Sequence, residues 1–434
     1  MMMIHIKNVT LMSFARGGKL EFTDDAAIIV KGNRIEYAGP VSRLPVDAEF
    51  DEVIDGGGCL AMPALANAHS HSAMNLLRGL GSDLNLHDWL HDKIFPAEAR
   101  MTAEDAYVGA SLAFREMLSF GISACCDMYF HSDSILEAAR DTGIRIAMVN
   151  PVVGADGGDT SQLDGIYALH KKWHGAANDR IRIMTGLHAE YTSVPELVTK
   201  VSAQARELNA RVHVHCAETA SETLGCVSRY GKSPVKYFAD LGLFDNPTVA
   251  AHCVHVSDDD IDILADKGVY AAHNPVSNLK LASGVSPVHK MLRRGVNVCL
   301  GTDGAASHNA LNLWEEIRLM SILHKGVSGD PTVVSPYDTI RAATVSGFNA
   351  MGFDGAGAIE SGNLADIILI DRSSLHHQPI IDSAGDLVYS TQGSDVMLTM
   401  VDGIVRYERS NPLTDKTLTD KARAAAARMS DGLL

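Results

Sequence analysis

The chain has 434 residues, of which 46% are hydrophobic and 21% are charged, as is ordinary for a soluble globular protein. At this length we expect one large domain and a smaller one. The formal net charge of −16 argues against nucleic acid or an anionic membrane as a partner, because binding phosphates requires clustered Lys and Arg.

Cysteine usage and the first residues indicate the compartment. The seven cysteines are scattered and form no CxxC pair, which favours a reducing environment. The opening stretch MMMIHIKNVTLMSF alternates like a β-strand and lacks the basic flank and apolar core of a signal peptide. No run reaches the roughly 18 apolar residues that span a bilayer. We therefore expect a cytoplasmic protein with no membrane partner.

Both ends of the chain have β patterns. Near the N-terminus, AAIIVKGNRIEYAG has two apolar runs around Gly32 and Asn33, a pattern typical of a hairpin. Near the other end, DVMLTMVDGIVRYER has a second turn signal at Asp402 and Gly403. We predict that residues 1–58 and 355–410 pair into one small composite β-sandwich.

Residues 59–354 alternate between helical stretches and short apolar strands. The strand runs are continuously apolar, as in IRIAMVN, IRIMTGLH and NVCLGTD, which is typical of buried parallel strands between helices. Their number approaches eight, so the pattern predicts an α/β fold with a closed (β/α)₈ TIM barrel. MPALANA is predicted as the first barrel strand, and residues 411–434 as a C-terminal helical tail.

Nearly every predicted strand ends in a polar residue that can do chemistry. Active sites of barrels lie at the carboxyl ends of the strands, so these residues converge on one mouth. They are His71, Asp127, His188, His215, Glu218, His252, His273 and Asp303.

Two histidine pairs and one aspartate indicate a metal site. His69 and His71 are two positions apart on a strand and share a face, as do His213 and His215. An HxH pair alone fits one buried and one surface histidine equally well. Asp303, however, ends an apolar strand, where burial is costly without a partner or a metal. Three histidines and an aspartate suit Zn²⁺, with Fe²⁺ or Mn²⁺ as alternatives, and the lack of cysteine favours a catalytic site.

Several motifs together resemble the amidohydrolase superfamily. More narrowly, they resemble its aminohydrolase and chlorohydrolase branch, which includes 5'-methylthioadenosine/S-adenosylhomocysteine deaminases. The resemblance implies one divalent metal ion on His69, His71, His215 and Asp303, with His213 outside the ligand set. The motifs are PALANAHSHSAMNLLRG, HVHCAET, AAHCVHVS, HNPVSNLKLASGVSP and GTDGAASHN.

The resemblance also implies catalytic roles. Asp303 takes a proton from the attacking water, Glu218 passes one to a ring nitrogen of the substrate, and His252 orients or polarises the water. The implied reaction is hydrolytic deamination of an aromatic N-heterocycle. The alternatives are that Glu218 caps a helix and that His252 is a core histidine. For His255 and His273 we favour a structural role.

The substrate predictions also come from the resemblance. Trp89 would line the pocket, although a core tryptophan fits equally well, Glu98 would accept from the ribose hydroxyls, and His188 would contact substrate. Asn150 lies where enzymes that accept S-adenosylhomocysteine are expected to have an arginine, and no arginine occurs between residues 146 and 179. Adenosine, 5'-methylthioadenosine, 5'-deoxyadenosine or a modified adenine is therefore easier to accommodate.

Two other functions stay open. One is an aminohydrolase or chlorohydrolase acting on guanine, a pterin or an s-triazine. The other is a non-catalytic scaffold, although every expected position is filled. We expect a homo-oligomer because relatives form dimers and tetramers. The roles of Glu190, His255 and His308 stay open.

Overall fold

The computed structural model describes residues 1–44, 49–154 and 161–433. Its strands form two eight-stranded sheets. The strands are β1 (Met3–Ala15), β2 (Lys19–Lys31), β3 (Arg34–Pro40), β4 (Glu52–Asp55), β5 (Leu60–Pro63), β6 (Leu65–Ser70), β7 (Ile122–Met128), β8 (Arg145–Val149), β9 (Ile181–Gly186), β10 (Val212–Cys216), β11 (Thr248–His252), β12 (Tyr270–His273), β13 (Asn297–Leu300), β14 (Ile367–Ile370), β15 (Val396–Val401) and β16 (Ile404–Glu408).

The α-helices mostly follow the strands of the central sheet. They are α1 (Leu86–Asp88), α2 (Phe95–Glu98), α3 (Ala103–Ser119), α4 (Ser132–Thr142), α5 (Ser161–Trp173), α6 (Ala176–Asp179), α7 (Pro195–Leu208), α8 (Ala220–Tyr230), α9 (Pro234–Asp240), α10 (Asp258–Asp266), α11 (Pro275–Lys280), α12 (Val288–Arg293), α13 (Ala305–His308), α14 (Leu313–Ser328), α15 (Pro336–Arg341), α16 (Gly347–Met351), α17 (Ser383–Tyr389) and α18 (Lys416–Ser430). Among the described residues, no helix combines the length and the apolarity needed to cross a membrane.

Strands β6 to β13 form the barrel. Each pairs in parallel with the next along the chain. The ring closes where Ser70 bridges Asp303 in parallel and the Asp303 amide donates to the His69 carbonyl at 2.9 Å. The predicted (β/α)₈ barrel is confirmed, and its closure brings the first and last strands together at the predicted metal ligands.

The second sheet contains strands from both ends of the chain, as predicted. Its order is β16-β15-β14-β5-β1-β2-β3, with β4 paired to β1, and it encloses its own apolar core. The hairpin predicted at Gly32 and Asn33 connects β2 to β3. The turn at Asp402 and Gly403 connects β15 to β16, and the positive φ of both residues, 54° and 75°, is the geometry of a tight hairpin turn.

The stretch MPALANA is not one barrel strand, so that prediction is wrong. Residues up to Pro63 belong to β5, which pairs with β1 and β14 in the second sheet, and only Leu65–Ser70 enters the barrel. Proline has no N–H for a strand ladder, and Pro63 marks the point where the chain passes between the two sheets.

A buried ion cluster connects the barrel to the second sheet. Arg145, the first residue of β8, donates through Nε and Nη2 to Asp366 at 2.9–3.0 Å and through Nη2 to Asp402 at 2.7 Å. Asp366 directly precedes β14, and Asp402 lies between β15 and β16. All three side chains are at most 4% exposed, so each charge depends on the others for compensation.

We expect Arg145→Met to lower the free energy of unfolding by about 3–5 kcal/mol, because it leaves two buried carboxylates without a cation. Denaturant unfolding measures the change. The matched control is Arg423→Met, which removes an exposed pairing with Asp420 and should cost under about 1 kcal/mol. Equal effects of the two substitutions would contradict this interpretation.

Candidate active site

A cavity of about 350 Å³ lies at the carboxyl ends of the barrel strands. It is where (β/α)₈ barrels place their active sites. Of the residues predicted to bind the metal, act in catalysis or bind substrate, His69 alone is not part of the lining; it is fully buried against the ring of His71. Asp127 and His273, which were also expected at the mouth, are buried and do not line the cavity. The predicted residues that line the cavity are His71, Trp89, Glu98, His188, His215, Glu218, His252 and Asp303.

Backbone carbonyls orient two of the imidazoles. The Nδ1–H of His71 donates to the Met128 carbonyl at 2.5 Å, and the Nδ1–H of His215 donates to the His188 carbonyl at 2.8 Å. Because a carbonyl only accepts, Nδ1 carries a proton in both rings and Nε2 is the atom that faces the cavity. Such contacts are typical of histidines that ligate metals.

His69 is oriented by the deeper histidine of the second pair. Its Nδ1 lies 2.9 Å from His213 Nε2, and His213 Nδ1 lies 3.1 Å from the Cys126 sulfur. The Nε2 of His69 is buried, and among the described residues it has no hydrogen-bond partner. Burial lowers the pKa of His69 to about 3, so its ring is neutral at physiological pH. His213 thus contacts His69 and lies outside the cavity lining.

Two of the free nitrogens lie close to one carboxylate oxygen, and the third lies beside one of them. Asp303 Oδ1 lies 3.4 Å from His69 Nε2 and 3.1 Å from His71 Nε2, and His215 Nε2 lies 3.4 Å from His71 Nε2. With metal–nitrogen distances of about 2.0–2.1 Å, the donor atoms of a tetrahedral site lie about 3.3 Å apart. The cluster therefore has the spacing of a metal site.

Two serines orient the Asp303 carboxylate. Its Oδ2 accepts from Ser277 Oγ at 2.6 Å and from Ser307 Oγ at 2.9 Å, which turns Oδ1 toward the histidines. Burial raises the pKa of Asp303, but the close approach of the His69 and His71 rings outweighs it and holds that pKa well below its usual range. Burial lowers the pKa of His71, but Asp303 raises it to about 9. Without a bound cation His71 therefore carries a second proton, which a metal ion at this position would replace.

Glu316 on α14 connects the two helices that carry these serines. Its Oε2 accepts from the Val276 amide at 3.1 Å, beside Ser277, and its Oε1 lies 3.0 Å from His308 Nε2, beside Ser307. His308 is buried in this pair and does not line the cavity. The roles of His308 and Glu316 were not predictable, because no local sequence pattern marks a carboxylate that supports residues distant from it in the chain.

Glu218 faces the cluster and does not cap a helix. Helix α8 begins after Thr219, whose side chain accepts the Glu222 amide. Glu218 Oε1 accepts from Ser283 Oγ at 3.1 Å, while Oε2 lies 3.7 Å from His252 Nε2. Burial raises the pKa of Glu218, which favours a protonated carboxyl that can donate.

His252 lies in a backbone conformation that is rare for a residue with a side chain, with φ of 74°. Its Nδ1 donates to Asn278 Oδ1 at 2.8 Å, so Nε2 faces the cavity. One donor atom from each of His252, His69 and His215 lies within 4.8 Å of the others. Asn278, Ser277 and Ser283 all belong to the motif HNPVSNLKLASGVSP, in which no individual roles were predicted.

The wall of the cavity also contains the predicted substrate residues Trp89, Glu98 and His188. Glu98 accepts from the Tyr129 hydroxyl at 2.6 Å, and burial raises the pKa of Glu98. Trp89 is 5% exposed and donates to the Leu80 carbonyl, so it is both a core residue and part of the wall. Burial lowers the pKa of His188 to about 4, so its ring is neutral.

The two other open residues lie behind the cavity wall. Glu190 is buried and pairs with Arg229 at 2.5 Å, and neither lines the cavity. His255 Nε2 donates to the Ser283 carbonyl at 2.7 Å, and Ser283 in turn donates a hydrogen bond to Glu218.

Among the described residues, no lysine or arginine lines the cavity, while Asn150 does. Residues 155–160 lie outside the described residues, and their sequence, ADGGDT, contains no cation.

Comparison with known proteins shows the class to which this chain belongs. The model of the amidohydrolase family matches residues 60–405, so the chain belongs to the amidohydrolase family, and the predicted family is confirmed. It is a hydrolase that acts on carbon–nitrogen bonds, in the deaminase group of that family.

Three relatives illustrate the similarity. A 5-methylthioadenosine/S-adenosylhomocysteine deaminase of Moorella thermoacetica is 42% identical over 388 residues, covering 89% of this chain and 91% of the relative. A 5'-deoxyadenosine deaminase of Methanosarcina mazei is 40% identical, covering 94% and 96%. The crystal structure of an adenosine deaminase from Xanthomonas campestris with bound zinc matches with a TM-score of 0.93 at 30% identity, covering 99% of this chain and 98% of that one.

Proposed function

We propose that this chain is a metal-dependent hydrolytic deaminase of an adenine nucleoside, releasing ammonia and the inosine-type product. The observation that carries the proposal is that Glu218, the histidine–aspartate cluster and Glu98 line one cavity. The similar proteins named above are all deaminases of adenosine or its derivatives, which supports the same ring chemistry here.

In this proposal His69, His71, His215 and Asp303 hold one divalent ion. The unpartnered Nε2 of His69 and the donor spacings near 3.3 Å fit such an ion. Three nitrogens and one oxygen suit Zn²⁺, with Fe²⁺ or Mn²⁺ as alternatives, and zinc is bound in the Xanthomonas deaminase. When bound, the ion supplies a water whose pKa is lowered to about 7, so that hydroxide is available at neutral pH.

The side chains around the cluster move the protons. Asp303 Oδ1 accepts a proton from the attacking water, and the protonated Glu218 donates from its carboxyl to a ring nitrogen of the adenine. His252 Nε2, oriented through Asn278, directs the water toward the amino-bearing carbon. Water adds to that carbon, the proton taken up by Asp303 passes to the amino nitrogen, and the exocyclic carbon–nitrogen bond breaks so that the nitrogen leaves as ammonia. The hydroxyl of the adduct gives its proton back to Glu218 as the product carbonyl forms. General acid–base help of this kind contributes about 100- to 10,000-fold.

Glu98 binds the sugar in this proposal. A carboxylate is suited to accept from the two hydroxyls of a vicinal diol, and the Tyr129 hydroxyl orients Glu98 for that purpose. Trp89 and His188 contact the nucleoside from two sides of the cavity.

The region beyond the sugar favours a small, uncharged 5' group. Among the described lining residues there is no cation to hold the carboxylate of a homocysteine tail. The wall there includes the apolar side chains Leu86, Leu90, Phe95, Phe130 and Val153. We therefore propose that 5'-methylthioadenosine, 5'-deoxyadenosine and adenosine are better substrates than S-adenosylhomocysteine.

A panel of metal-loaded reactions tests the function. We would follow ammonia release from adenosine, 5'-methylthioadenosine, S-adenosylhomocysteine, adenine and guanine, and product formation from a pterin and a chlorotriazine. The proposal expects turnover of the first two, with S-adenosylhomocysteine slower. Activity confined to guanine, a pterin or the triazine would favour the alternative heterocycle hydrolase, and no turnover at all would favour a non-catalytic scaffold.

We expect Glu98→Gln to lower kcat/KM for adenosine by about 10- to 100-fold, because a charge-assisted hydrogen bond is worth roughly 1.5–3 kcal/mol. With 2',3'-dideoxyadenosine, which lacks the diol, the variant and the wild type should differ little. Tyr129→Phe, which keeps the carboxylate, is the control and should have a smaller effect. An equal loss for both substrates would show that Glu98 does not bind the sugar.

The cellular setting and assembly are part of the same proposal. We propose a cytoplasmic homo-oligomer that acts on a small molecule and binds neither nucleic acid nor membrane, supported by the net charge of −16. We also propose that residues 1–58 with 355–410 form one domain, residues 59–354 the barrel domain, and residues 411–434 a tail that includes α18. Gel filtration with light scattering tests the assembly.

A further inference from the structure

A second group of potential metal ligands lies away from the cavity. Among the described residues, three sets of side chains bring donor atoms within 4.8 Å of one another, and two of these sets belong to the active site. The third contains His376, His377 and Asp395, none of which lines the cavity. The histidines lie in the turn after β14, and Asp395 immediately precedes β15.

A carboxylate orients the buried histidine of this group. The His377 ring is fully buried, and its Nδ1 lies 2.9 Å and 3.0 Å from the two oxygens of Asp386 on α17. Its Nε2 points at Asp395 Oδ2 at 3.2 Å. A carboxylate behind one ring nitrogen, with the other nitrogen directed at a shared point, is the usual surrounding of a metal-ligating histidine.

One oxygen receives more nitrogens than it has lone pairs. Asp395 Oδ2 lies 3.0 Å from His376 Nε2 and 3.2 Å from His377 Nε2, and it also accepts the Gln392 amide at 2.8 Å. A carboxylate oxygen offers about two lone pairs, so three donors crowd it. A cation between the imidazoles and the carboxylate would resolve this crowding, and the spacings of 3.0 Å and 3.2 Å are close to the roughly 3.3 Å of a tetrahedral site.

Charge and access also suit a cation. The carboxylates of Asp386 and Asp395 face the guanidinium of Arg372, whose Nη1 lies 3.9 Å from Asp386, while the Arg409 guanidinium beside Ser394 is paired with a third carboxylate, that of Asp371. The His376 side chain is 36% exposed, while Asp395 is 5% exposed. An ion can thus enter from solvent at His376 and keep a water ligand on that side.

We propose that His376, His377 and Asp395 form a second divalent-metal site, which takes Zn²⁺ or a similar borderline cation. The ion connects the turn after β14 with the turn before β15 and so stabilises the second sheet. Because two nitrogens and one oxygen match Zn²⁺, zinc alone is the probe.

The test counts zinc ions in the full chain. Protein stripped by a chelator is loaded with Zn²⁺, passed through gel filtration and analysed for metal content. His376→Ala and His376→Gln should each hold one zinc ion fewer per chain than the wild type, with kcat unchanged. Zn²⁺ should also raise the Tm of the wild type more than that of either variant. The test compares the zinc content of the variants with that of the wild type, so its result does not depend on whether the active-site ion is present.

The control variant is His87→Ala. The His87 side chain is 77% exposed and its ring lies 4.5 Å from that of His91, so this pair is the obvious adventitious binder on the surface. His87→Ala should retain the wild-type zinc content. If both His376 variants match the wild type in zinc content, or if only His87→Ala loses an ion, the second site does not exist and His377 is a histidine shared between two carboxylates.

Discussion

Glu218→Gln should lower kcat for adenosine deamination by about 100- to 10,000-fold, with KM changed little. The amide keeps the size of the side chain and its contact with Ser283, but its N–H protons are too weakly acidic to be transferred to the ring nitrogen. Steady-state ammonia release measures both constants. Since burial raises the pKa of Glu218, the wild-type rate should fall as pH rises through that pKa, and the variant should lack this limb of the profile.

Ser283→Ala is the matched control for this prediction. It leaves the carboxyl in place and removes one hydrogen bond, so kcat should fall by about 10-fold or less. Both variants should bind zinc and unfold like the wild type. A Glu218→Gln enzyme within 10-fold of the wild type would show that another group protonates the substrate.

Asp303→Asn should have an effect at least as large, on two separate observables. The substitution removes the negative charge that faces His69 and His71, together with the acceptor for the proton of the attacking water. We expect the affinity for Zn²⁺ to fall by at least about 100-fold, since the loss of residues that merely support a ligand costs 10- to 100-fold. We expect kcat/KM at saturating zinc to fall by about 1,000-fold or more.

Ser277→Ala separates the charge of Asp303 from its orientation. This variant removes the 2.6 Å hydrogen bond to Oδ2 and keeps the carboxylate, so zinc affinity should fall only about 10-fold. Competition with a chromophoric chelator measures affinity without depending on turnover. Unchanged zinc binding in Asp303→Asn would contradict its assignment as a ligand.

The barrel was predictable because its strands are short apolar runs between helices, each ending in a polar residue. The passage of the chain from the second sheet into the barrel at Pro63 was not predictable. Both halves of MPALANA are apolar, and the pattern does not show which sheet each half joins. The pairings of β5 with β1 and with β14, about 300 residues later in the chain, decide it.

Residues that line the cavity at the ends of barrel strands were predictable from the sequence. Residues that orient them through hydrogen bonds were less so. His213 and His215 share one face of β10, and spacing alone does not tell which lies at the mouth. The structure places His213 one layer deeper, against His69. Glu316 and Asn278 orient site residues from helices, and such contacts depend on the packing of distant elements.

The most direct test of the account is a zinc titration of 5'-methylthioadenosine deamination. Protein stripped of metal and carrying His376→Ala, which removes the proposed second site, is mixed with increasing Zn²⁺ while ammonia is followed. The account predicts no ammonia without zinc and a rate that rises to a plateau at one equivalent per chain. Ammonia released equally fast by the stripped protein, or none at any zinc concentration, would contradict it.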